Sequence, residues 1–144
     1  MKKTLFIGAV GSGKTSLCQN LKGEEVRDNK TQAVEYYTDL VDTPGEFIQH
    51  RHYYQALQTL AFGVERIALV LSVQDTYQVF PPSFAQNFPV FCIGIVTKID
   101  LNHRKEDLAF ARQQLVEAGA KQIFEVSSVT NDGMNELITY LALK

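Results

Sequence analysis

A glycine-rich stretch near the amino terminus has the residue types and spacing of a phosphate-binding loop. Gly8-Ala9-Val10-Gly11-Ser12-Gly13-Lys14-Thr15 follows the pattern Gly-x-x-x-x-Gly-Lys-Ser/Thr. Glycines allow several backbone N–H groups to point at phosphate oxygens, the Lys14 ammonium suits the β- and γ-phosphates, and the Thr15 hydroxyl suits Mg²⁺. A chance glycine-rich turn is the alternative, but the predicted strand before it and helix after it favour a nucleotide-binding loop that continues to Ser16.

A second motif follows a predicted strand, in the order that nucleotide hydrolysis requires. In Asp42-Thr43-Pro44-Gly45 the Asp42 carboxylate can hold Mg²⁺ through water, and the Gly45 N–H can reach a γ-phosphate. The same four residues also fit an ordinary turn at the end of a strand. The functional interpretation therefore depends on the phosphate-binding loop upstream.

A third motif, Thr97-Lys98-Ile99-Asp100, could select the base. The Asp100 carboxylate can accept hydrogen bonds from the N1–H and N2 amino groups of guanine, which adenine lacks, and such pairing discriminates strongly. The Lys98 stem can cover the base plane. The alternative is a surface turn containing a Lys–Asp pair. Further base-site candidates are Leu101 and the loop Ser127-Ser128-Val129, whose N–H groups could contact guanine O6 unless it is simply a serine-rich loop.

The segments between these motifs alternate between apolar runs and helical stretches, as in a three-layer α/β domain. Unbroken apolar runs such as 67–72 and 90–96 suit parallel strands buried on both faces, with helices on both sides of the sheet. The 144 residues fit a single domain, 1–144. We predict further strands at 3–8, 34–41 and 123–126, and helices at 14–21, 48–62, 106–118 and 134–143.

The composition argues against several classes of protein. The 14 basic and 16 acidic residues give a net charge of −2, which does not favour nucleic-acid binding. No apolar run approaches the ~20 residues of a membrane span. Cys18 and Cys92 lie far apart with no Cys/His cluster, so we expect both in the core and neither a disulfide nor a zinc site. We therefore expect a cytosolic protein that binds neither nucleic acid nor membrane.

Together the motifs resemble those of small P-loop GTPases of the Ras/Era superclass, and more closely the EutP/PduV type of ethanolamine- and propanediol-utilisation proteins. The resemblance implies a bacterial cytosolic protein tied to amine or diol catabolism and its protein-shelled microcompartment. The motifs themselves predict GTP or GDP as the nucleotide, with ATP as the alternative, and Mg²⁺ as its metal ion. The resemblance is carried by Gly8–Thr15, Cys18-Gln19, Gly23–Glu25, Lys30–Glu35, Asp42–Glu46, Arg51–Tyr54, Phe80–Gln86 and Thr97–Leu101.

The stretch from Thr31 to Asp42 is shorter than in Ras-type proteins. It has room for one good strand, not for two strands and a turn. We therefore expect a reduced P-loop GTPase sheet of order 3-1-4-5-6, with the antiparallel strand missing or vestigial. The resemblance makes Thr31 the candidate threonine that closes onto Mg²⁺ and the γ-phosphate, an exposed loop threonine being the alternative.

Three other departures concern catalysis. Glu46 stands where Ras-type enzymes carry a water-orienting glutamine; it either points away from the γ-phosphate or acts as a base with a raised pKa. Val10 would crowd the path of a partner's arginine finger, and Gly11 replaces the asparagine of potassium-stimulated relatives. We expect slow hydrolysis, with Lys14, Thr31, Gly45 and Glu46 as the catalytic candidates.

Two segments could contact shell or pathway proteins. Gln49–Tyr54 is either a nucleotide-sensitive partner surface or an exposed polar helix face, and Phe80–Phe88 is either an apolar docking patch or a segment folded onto the core. Three functions stay open: a GTPase switch, a phosphotransferase that uses ATP or GTP on a small carboxylate, and a non-catalytic nucleotide-bound adaptor.

Overall fold

A six-stranded sheet forms the centre of the fold. The structure is a computed structural model, and it describes residues 3–23, 33–37 and 39–141. The strand order is β2-β3-β1-β4-β5-β6, and all neighbours are parallel except β2 and β3. The predicted order 3-1-4-5-6 is therefore confirmed. The strands are β1 (Thr4–Ile7), β2 (Glu35–Tyr36), β3 (Leu40–Asp42), β4 (Arg66–Ser72), β5 (Phe91–Thr97) and β6 (Ile123–Glu125).

Helices cover both faces of this sheet, as predicted. Leu57 of α3 and Leu115 of α4 belong to the core on one face, while Leu17 of α1 and Leu137 of α5 belong to the core on the other. None of the helices in the described ranges is long and apolar enough to cross a membrane. The helices are α1 (Lys14–Leu21), α2 (Glu46–Gln49), α3 (Tyr54–Ala61), α4 (Lys105–Ala118) and α5 (Met134–Leu141).

The prediction of a single strand over 34–41 is wrong. The chain reverses direction between β2 and β3, where the Tyr37 N–H donates to the Leu40 carbonyl at 2.8 Å. All three residues of β3 are buried, whereas both residues of β2 are exposed at the sheet edge. Strands of only two and three residues need so little chain that a reversal fits between them. The antiparallel strand is thus vestigial but present.

The continuous helix predicted over 48–62 is interrupted. α2 ends at Gln49, the backbone of His50 is extended (φ −126°, ψ 123°), and a 3-10 turn precedes α3. The rings of Phe47 and Tyr53 stack with centroids 4.8 Å apart. A straight helix would separate these two residues by about 9 Å along its axis. The interruption therefore lets both rings pack together.

The connection between β4 and β5 contains no α-helix, only a 3-10 turn at Phe84–Asn87. Phe80, Phe84 and Phe88 are all buried, and they fill the space beside α3 and α4. The Gln114 side-chain oxygen of α4 accepts hydrogen bonds from the Val79 and Phe80 N–H groups, at 2.8 and 2.9 Å. The hypothesis of an aromatic docking patch at Phe80–Phe88 is therefore wrong for these three side chains.

Both cysteines lie in the core, as predicted. Burial raises the pKa of the Cys92 thiol to about 12, and it also raises that of Cys18 well above its ordinary value. Because the folded pKa exceeds the unfolded value of 9.0, the buried thiol stabilises the fold below pH 9. This contribution is lost as the pH rises from 9 towards 12.

We expect Phe84→Ala to lower the free energy of unfolding by about 3–5 kcal/mol, because it leaves a cavity among buried rings. Phe62 is 80% exposed at the end of α3, so Phe62→Ala should change stability by less than about 0.5 kcal/mol. Urea unfolding followed by circular dichroism measures both. Equal losses in the two variants would contradict the assigned core.

Candidate functional site

The three predicted motifs meet at one edge of the sheet. The glycine loop follows β1, Asp42 ends β3, and Thr97 ends β5. Carboxyl ends of parallel strands share an edge, where nucleotide sites of open α/β sheets lie. The register pairs Phe6 with Asp42, so β1 and β3 end at nearly the same level. The sheet therefore positions the first two motifs side by side.

The glycine loop has the backbone that phosphate binding requires. Gly11 and Gly13 have φ of 84° and 83°, a left-handed conformation that favours glycine. A Cβ on Gly8 would lie 2.8 Å from the Val70 carbonyl oxygen. Gly13 precedes α1 and offers no side chain as a cap, so the first N–H groups of this helix suit an anion.

Lys14, Thr15 and Asp42 converge next to this loop. The buried Lys14 ammonium contacts the Asp42 carboxylate at 2.5 Å and donates to the Thr43 carbonyl oxygen. The Thr15 hydroxyl donates to the other Asp42 oxygen at 3.1 Å. A hydroxyl and a carboxylate are hard oxygen ligands of the kind that Mg²⁺ prefers, so these residues fit the ion.

Gly45 lies directly against the glycine loop. A Cβ added to Gly45 would lie 2.4 Å from the Val10 backbone nitrogen and 2.7 Å from its Cγ2, so only glycine fits here. Glu46 begins α2, and its side chain is exposed. The fourth catalytic candidate, Thr31, lies outside the described residues. The structure therefore brings Gly45 into contact with the loop and leaves the Glu46 side chain exposed.

Asp100 is fixed by a residue of another loop. It lies in a 3-10 turn after β5, and the buried Ser127 hydroxyl donates to its carboxylate at 2.7 Å. The same hydroxyl oxygen accepts the N–H groups of Val129 and Thr130, at 3.2 and 3.0 Å. The sequence pattern suggested only backbone roles for residues 127–129. The role of the Ser127 side chain was missed, because no spacing links positions 100 and 127.

Thr97 and Lys98 tie the base motif to the phosphate motif. The Thr97 hydroxyl donates to the Ser12 carbonyl oxygen, and the Lys98 ammonium donates to the Gly11 carbonyl oxygen at 2.8 Å. Lys98 has a φ of 60°, unusual for a residue with a side chain. Sequence reasoning missed these contacts with the loop. The only signal was a hydroxyl and an ammonium at the end of a strand.

The remaining candidates flank these contacts, and two further residues join the site. Asn20 of α1 donates to the Ser128 carbonyl oxygen at 3.0 Å. Asp75 follows β4 at the same sheet edge; burial raises the pKa of its carboxyl, while the Ser72 N–H and Lys98 partly offset that rise. Neither residue belonged to a recognisable motif. Of the predicted residues, Ala9 is buried, Ser16 is half-buried, and Leu101 and Val129 are exposed.

We expect Lys14→Met to lower the free energy of unfolding of nucleotide-free protein by about 3–5 kcal/mol, because it removes the ammonium that contacts the buried Asp42 carboxylate. Glu106→Gln removes the exposed pair of Arg104 and Glu106, and should cost at most about 1 kcal/mol. Chemical denaturation of both variants measures the difference. If Lys14→Met lowers the free energy of unfolding no more than Glu106→Gln does, the result would contradict a stabilising ion pair between Lys14 and Asp42.

Comparisons with known proteins agree over the length of the chain. The family model described as "Ethanolamine utilisation - propanediol utilisation" matches residues 1–143. The chain is 38% identical over 146 residues to the propanediol utilization protein PduV of Citrobacter freundii, covering 100% of this chain and 95% of that protein. It is 35% identical over 146 residues to the "Probable acetate kinase EutP" of Salmonella typhimurium, covering 99% and 90%.

Two solved structures resemble the fold at low sequence identity. Bacterial selenocysteine-specific elongation factor EF-Sec has a TM-score of 0.69 and 20% identity, over 98% of this chain and 28% of that one. Roco2 of Methanosarcina barkeri, solved bound to GDP, has a TM-score of 0.67 and 22% identity, over 98% and 47%. This chain thus spans less than half of either protein. The chain has the P-loop GTPase fold and belongs to the ethanolamine utilisation–propanediol utilisation family.

Proposed function

We propose that this protein binds guanine nucleotide with Mg²⁺ in the glycine loop and hydrolyses GTP slowly, in the service of ethanolamine or propanediol utilisation in a bacterial microcompartment. The observation that carries the proposal is the convergence of Lys14, Thr15 and Asp42 beside the left-handed glycines of the loop. An ammonium, a hydroxyl and a carboxylate at a helix start are the groups that phosphates and their metal ion require.

Each group of the phosphate site has a separate role. The backbone N–H groups of 8–15 and the Lys14 ammonium would hold the phosphates. Thr15 and Asp42 would hold Mg²⁺, together with Thr31 from outside the described residues. When bound, the ion neutralises charge that develops on the transferred phosphoryl group. Lys14 must exchange the Asp42 carboxylate for a phosphate, and so it passes from one anion to another without becoming unpaired.

Hydrolysis by this arrangement would be slow. Stabilisation of the transition state would come mainly from Lys14, the loop N–H groups and the Gly45 N–H. The exposed Glu46 side chain is an acceptor with no amide N–H to orient water as glutamine does. Val10 lies against Gly45, and its side chain would crowd the path of a partner's arginine finger.

The base site supports guanine as the preferred base. The Ser127 hydroxyl bonds one oxygen of the Asp100 carboxylate, which limits rotation of this group. A carboxylate held in this way can accept two hydrogen bonds from guanine. Adenine would present its N1 acceptor to the carboxylate instead, which leaves polar groups unpaired.

We expect Asp100→Ala to reduce the preference for GTP over ATP about a hundredfold or more, since two hydrogen bonds to a charged group contribute about 1.5–3 kcal/mol each. Ser127→Ala should reduce it less, because the carboxylate remains but is less restrained. Calorimetric titration of nucleotide-stripped protein with GTP, GDP and ATP in Mg²⁺ measures this. Asp132→Ala, in the exposed loop after β6, is the control. Equal affinity of the wild type for ATP and GTP would contradict guanine selection.

A phosphotransferase is the second candidate, because a relative 35% identical to this chain is named a probable acetate kinase. In that reaction a carboxylate oxygen of acetate attacks the γ-phosphorus of ATP or GTP. The bond to the β–γ bridging oxygen breaks, and acetyl phosphate and the nucleoside diphosphate form. We expect no acetyl phosphate if GTP hydrolysis is the activity. The candidate fails if inorganic phosphate is the only product at every acetate concentration, and acetate-dependent acetyl phosphate would favour it over the GTPase.

An adaptor for shell or pathway proteins is the third candidate, and exposed residues within the Gln49–Tyr54 segment support it. An adaptor would capture its partner in a nucleotide-dependent manner without needing hydrolysis. Capture that persists in Glu46→Ala or Thr31→Ala, with hydrolysis impaired, would favour this function over a switch that is reset by hydrolysis.

A further inference from the structure

A cavity of about 350 Å³ opens at the amino-terminal edge of the sheet. The described residues that line it are Glu65, Arg66, Phe91 and Tyr140. Arg66 begins β4 and Phe91 begins β5, and the register pairs them directly, so their side chains point to the same face of the sheet. The nucleotide motifs follow the carboxyl ends of the strands, and the length of β4 puts about 20 Å between the two edges. The cavity is therefore distinct from the candidate nucleotide site.

Arg66 brings a positive charge into the wall of this cavity, although the residue is only 7% exposed. Its Nε donates to the Thr4 hydroxyl at 2.8 Å, and its Nη2 donates to the Leu141 carbonyl oxygen at 3.3 Å. Within the described part of the chain its Nη1 makes no hydrogen bond and the guanidinium makes no ion pair, whereas Arg112 pairs with Glu125. A buried charge is costly unless it is paired, so this guanidinium lacks an anion that the described residues do not supply.

The unpaired nitrogen of Arg66 faces accessible space. Among the described residues, the fully buried polar side-chain atoms without a partner are Ser12 Oγ and Asn102 Oδ1, and Arg66 Nη1 is not one of them. Because Arg66 lines the cavity, the cavity supplies that space. The Tyr140 ring covers one face of the guanidinium, with Cζ 5.2 Å from the ring centroid. An anion would therefore approach in the guanidinium plane, where two N–H groups can bind both oxygens of a carboxylate.

The other walls of the cavity restrict what the anion is attached to. Phe91 is 48% exposed although it lies in a central strand, and the Tyr140 ring is half-buried. Two aromatic rings suit an apolar body, preferably a flat one. The Glu65 carboxylate, which accepts a hydrogen bond from the Lys3 backbone N–H, would repel a second anionic group. The volume is at the lower end of the range for pockets that hold small organic molecules.

A neighbouring cavity of about 480 Å³ shares Tyr140 but has the opposite charge. Its described lining includes the Glu136 carboxylate and no basic residue. An aromatic wall on α5 is therefore common to both cavities, and only the cavity that contains Arg66 is suited to an anion.

We propose that this cavity, hereafter the Arg66 cavity, binds a small organic monocarboxylate. The Arg66 guanidinium would hold the carboxylate, and the apolar body of the ligand would lie against the rings of Phe91 and Tyr140. The neighbouring Glu65 carboxylate would disfavour ligands with a second negative charge. The proposal does not depend on guanine-nucleotide binding or on GTP hydrolysis.

The probe is 4-fluorophenylacetate, compared with the neutral 4-fluorophenylacetamide of nearly the same shape. Fluorine NMR of each compound, titrated with the full chain, measures its affinity. We expect the amide to bind at least about tenfold more weakly, because it cannot form charge-assisted hydrogen bonds with the guanidinium. The titration is repeated with GDP and Mg²⁺, since the glycine loop is a second place where an anion could bind, and we expect the same affinity.

Two exposed phenylalanines provide a matched pair of variants. Phe91→Ala removes one wall of the cavity and should weaken binding of the carboxylate about fivefold. Phe62→Ala makes the same change at the end of α3 and should alter the affinity less than about twofold. Arg66→Lys keeps the charge but loses the planar fork, and should weaken binding about tenfold. Thermal melts of each variant separate a folding defect from a binding defect, and Phe91→Ala tests the cavity even if Arg66→Lys does not fold.

Equal affinity for the carboxylate and the amide, or equal losses in Phe91→Ala and Phe62→Ala, would overturn the Arg66 cavity as a carboxylate site. Displacement of the probe by GDP and Mg²⁺, with backbone amide chemical-shift changes centred on residues 8–15, would overturn it as well, because the probe would then occupy the glycine loop. Displacement of the probe by sulfate as effectively as by phenylacetate would overturn the preference for an organic carboxylate. Absence of GDP binding with intact probe binding would refute the proposed function and leave the Arg66 cavity supported.

Discussion

The buried ion pair between Lys14 and Asp42 connects the segments on which the site depends. Lys14 begins α1 and Asp42 ends β3, and neither side chain is exposed by more than a few per cent. Removing two charges from water is costly, so such a pair persists only where geometry and further hydrogen bonds compensate. Thr15 and the Thr43 carbonyl oxygen supply those bonds. The register of β1 with β3 brings the two ends to the same level, so sheet pairing and ion pair support one another.

Much of the fold could be predicted from local sequence. β4 and β5 are buried in the sheet centre, apart from Phe91 at the exposed start of β5. Every strand neighbour there is parallel, and α1 has the predicted bounds. The interruption of α2 at His50 could not be predicted, because it depends on the Phe47–Tyr53 stack within the folded chain. The reversal between β2 and β3 could not be predicted, because both strands are too short to show the alternation of apolar and polar residues that is typical of a strand. The connection at 73–90 spaces its buried rings Phe80, Phe84 and Phe88 four residues apart, as a helix would, yet it forms only a 3-10 turn. Its structure depends on packing against helices distant in sequence.

The candidate site also has features that local sequence predicts and features that depend on the fold. The motifs predict which residue types would lie near phosphate and base, because each motif lies within a few consecutive positions. They do not give the bonds between motifs, which join residues 27 positions apart for Ser127 and Asp100, and 85 apart for Thr97 and Ser12. Those bonds depend on strand order, which places β5 two strands from β1 with β4 between them. Local patterns therefore predict the candidate ligating groups, while the sheet determines how they are held.

The contacts of Thr97 and Lys98 connect the candidate base site physically to the candidate phosphate site. Both side chains donate to carbonyl oxygens of the glycine loop, at Ser12 and Gly11. Those two peptides lie next to the left-handed glycines that give the loop its shape. Lys98 itself adopts a left-handed backbone, which costs about 1–2 kcal/mol for a residue with a Cβ. The hydrogen bond of its ammonium to Gly11 helps to offset that cost. In the proposed nucleotide complex, a base that orders Asp100 and Lys98 would therefore also restrain the loop that receives the phosphates.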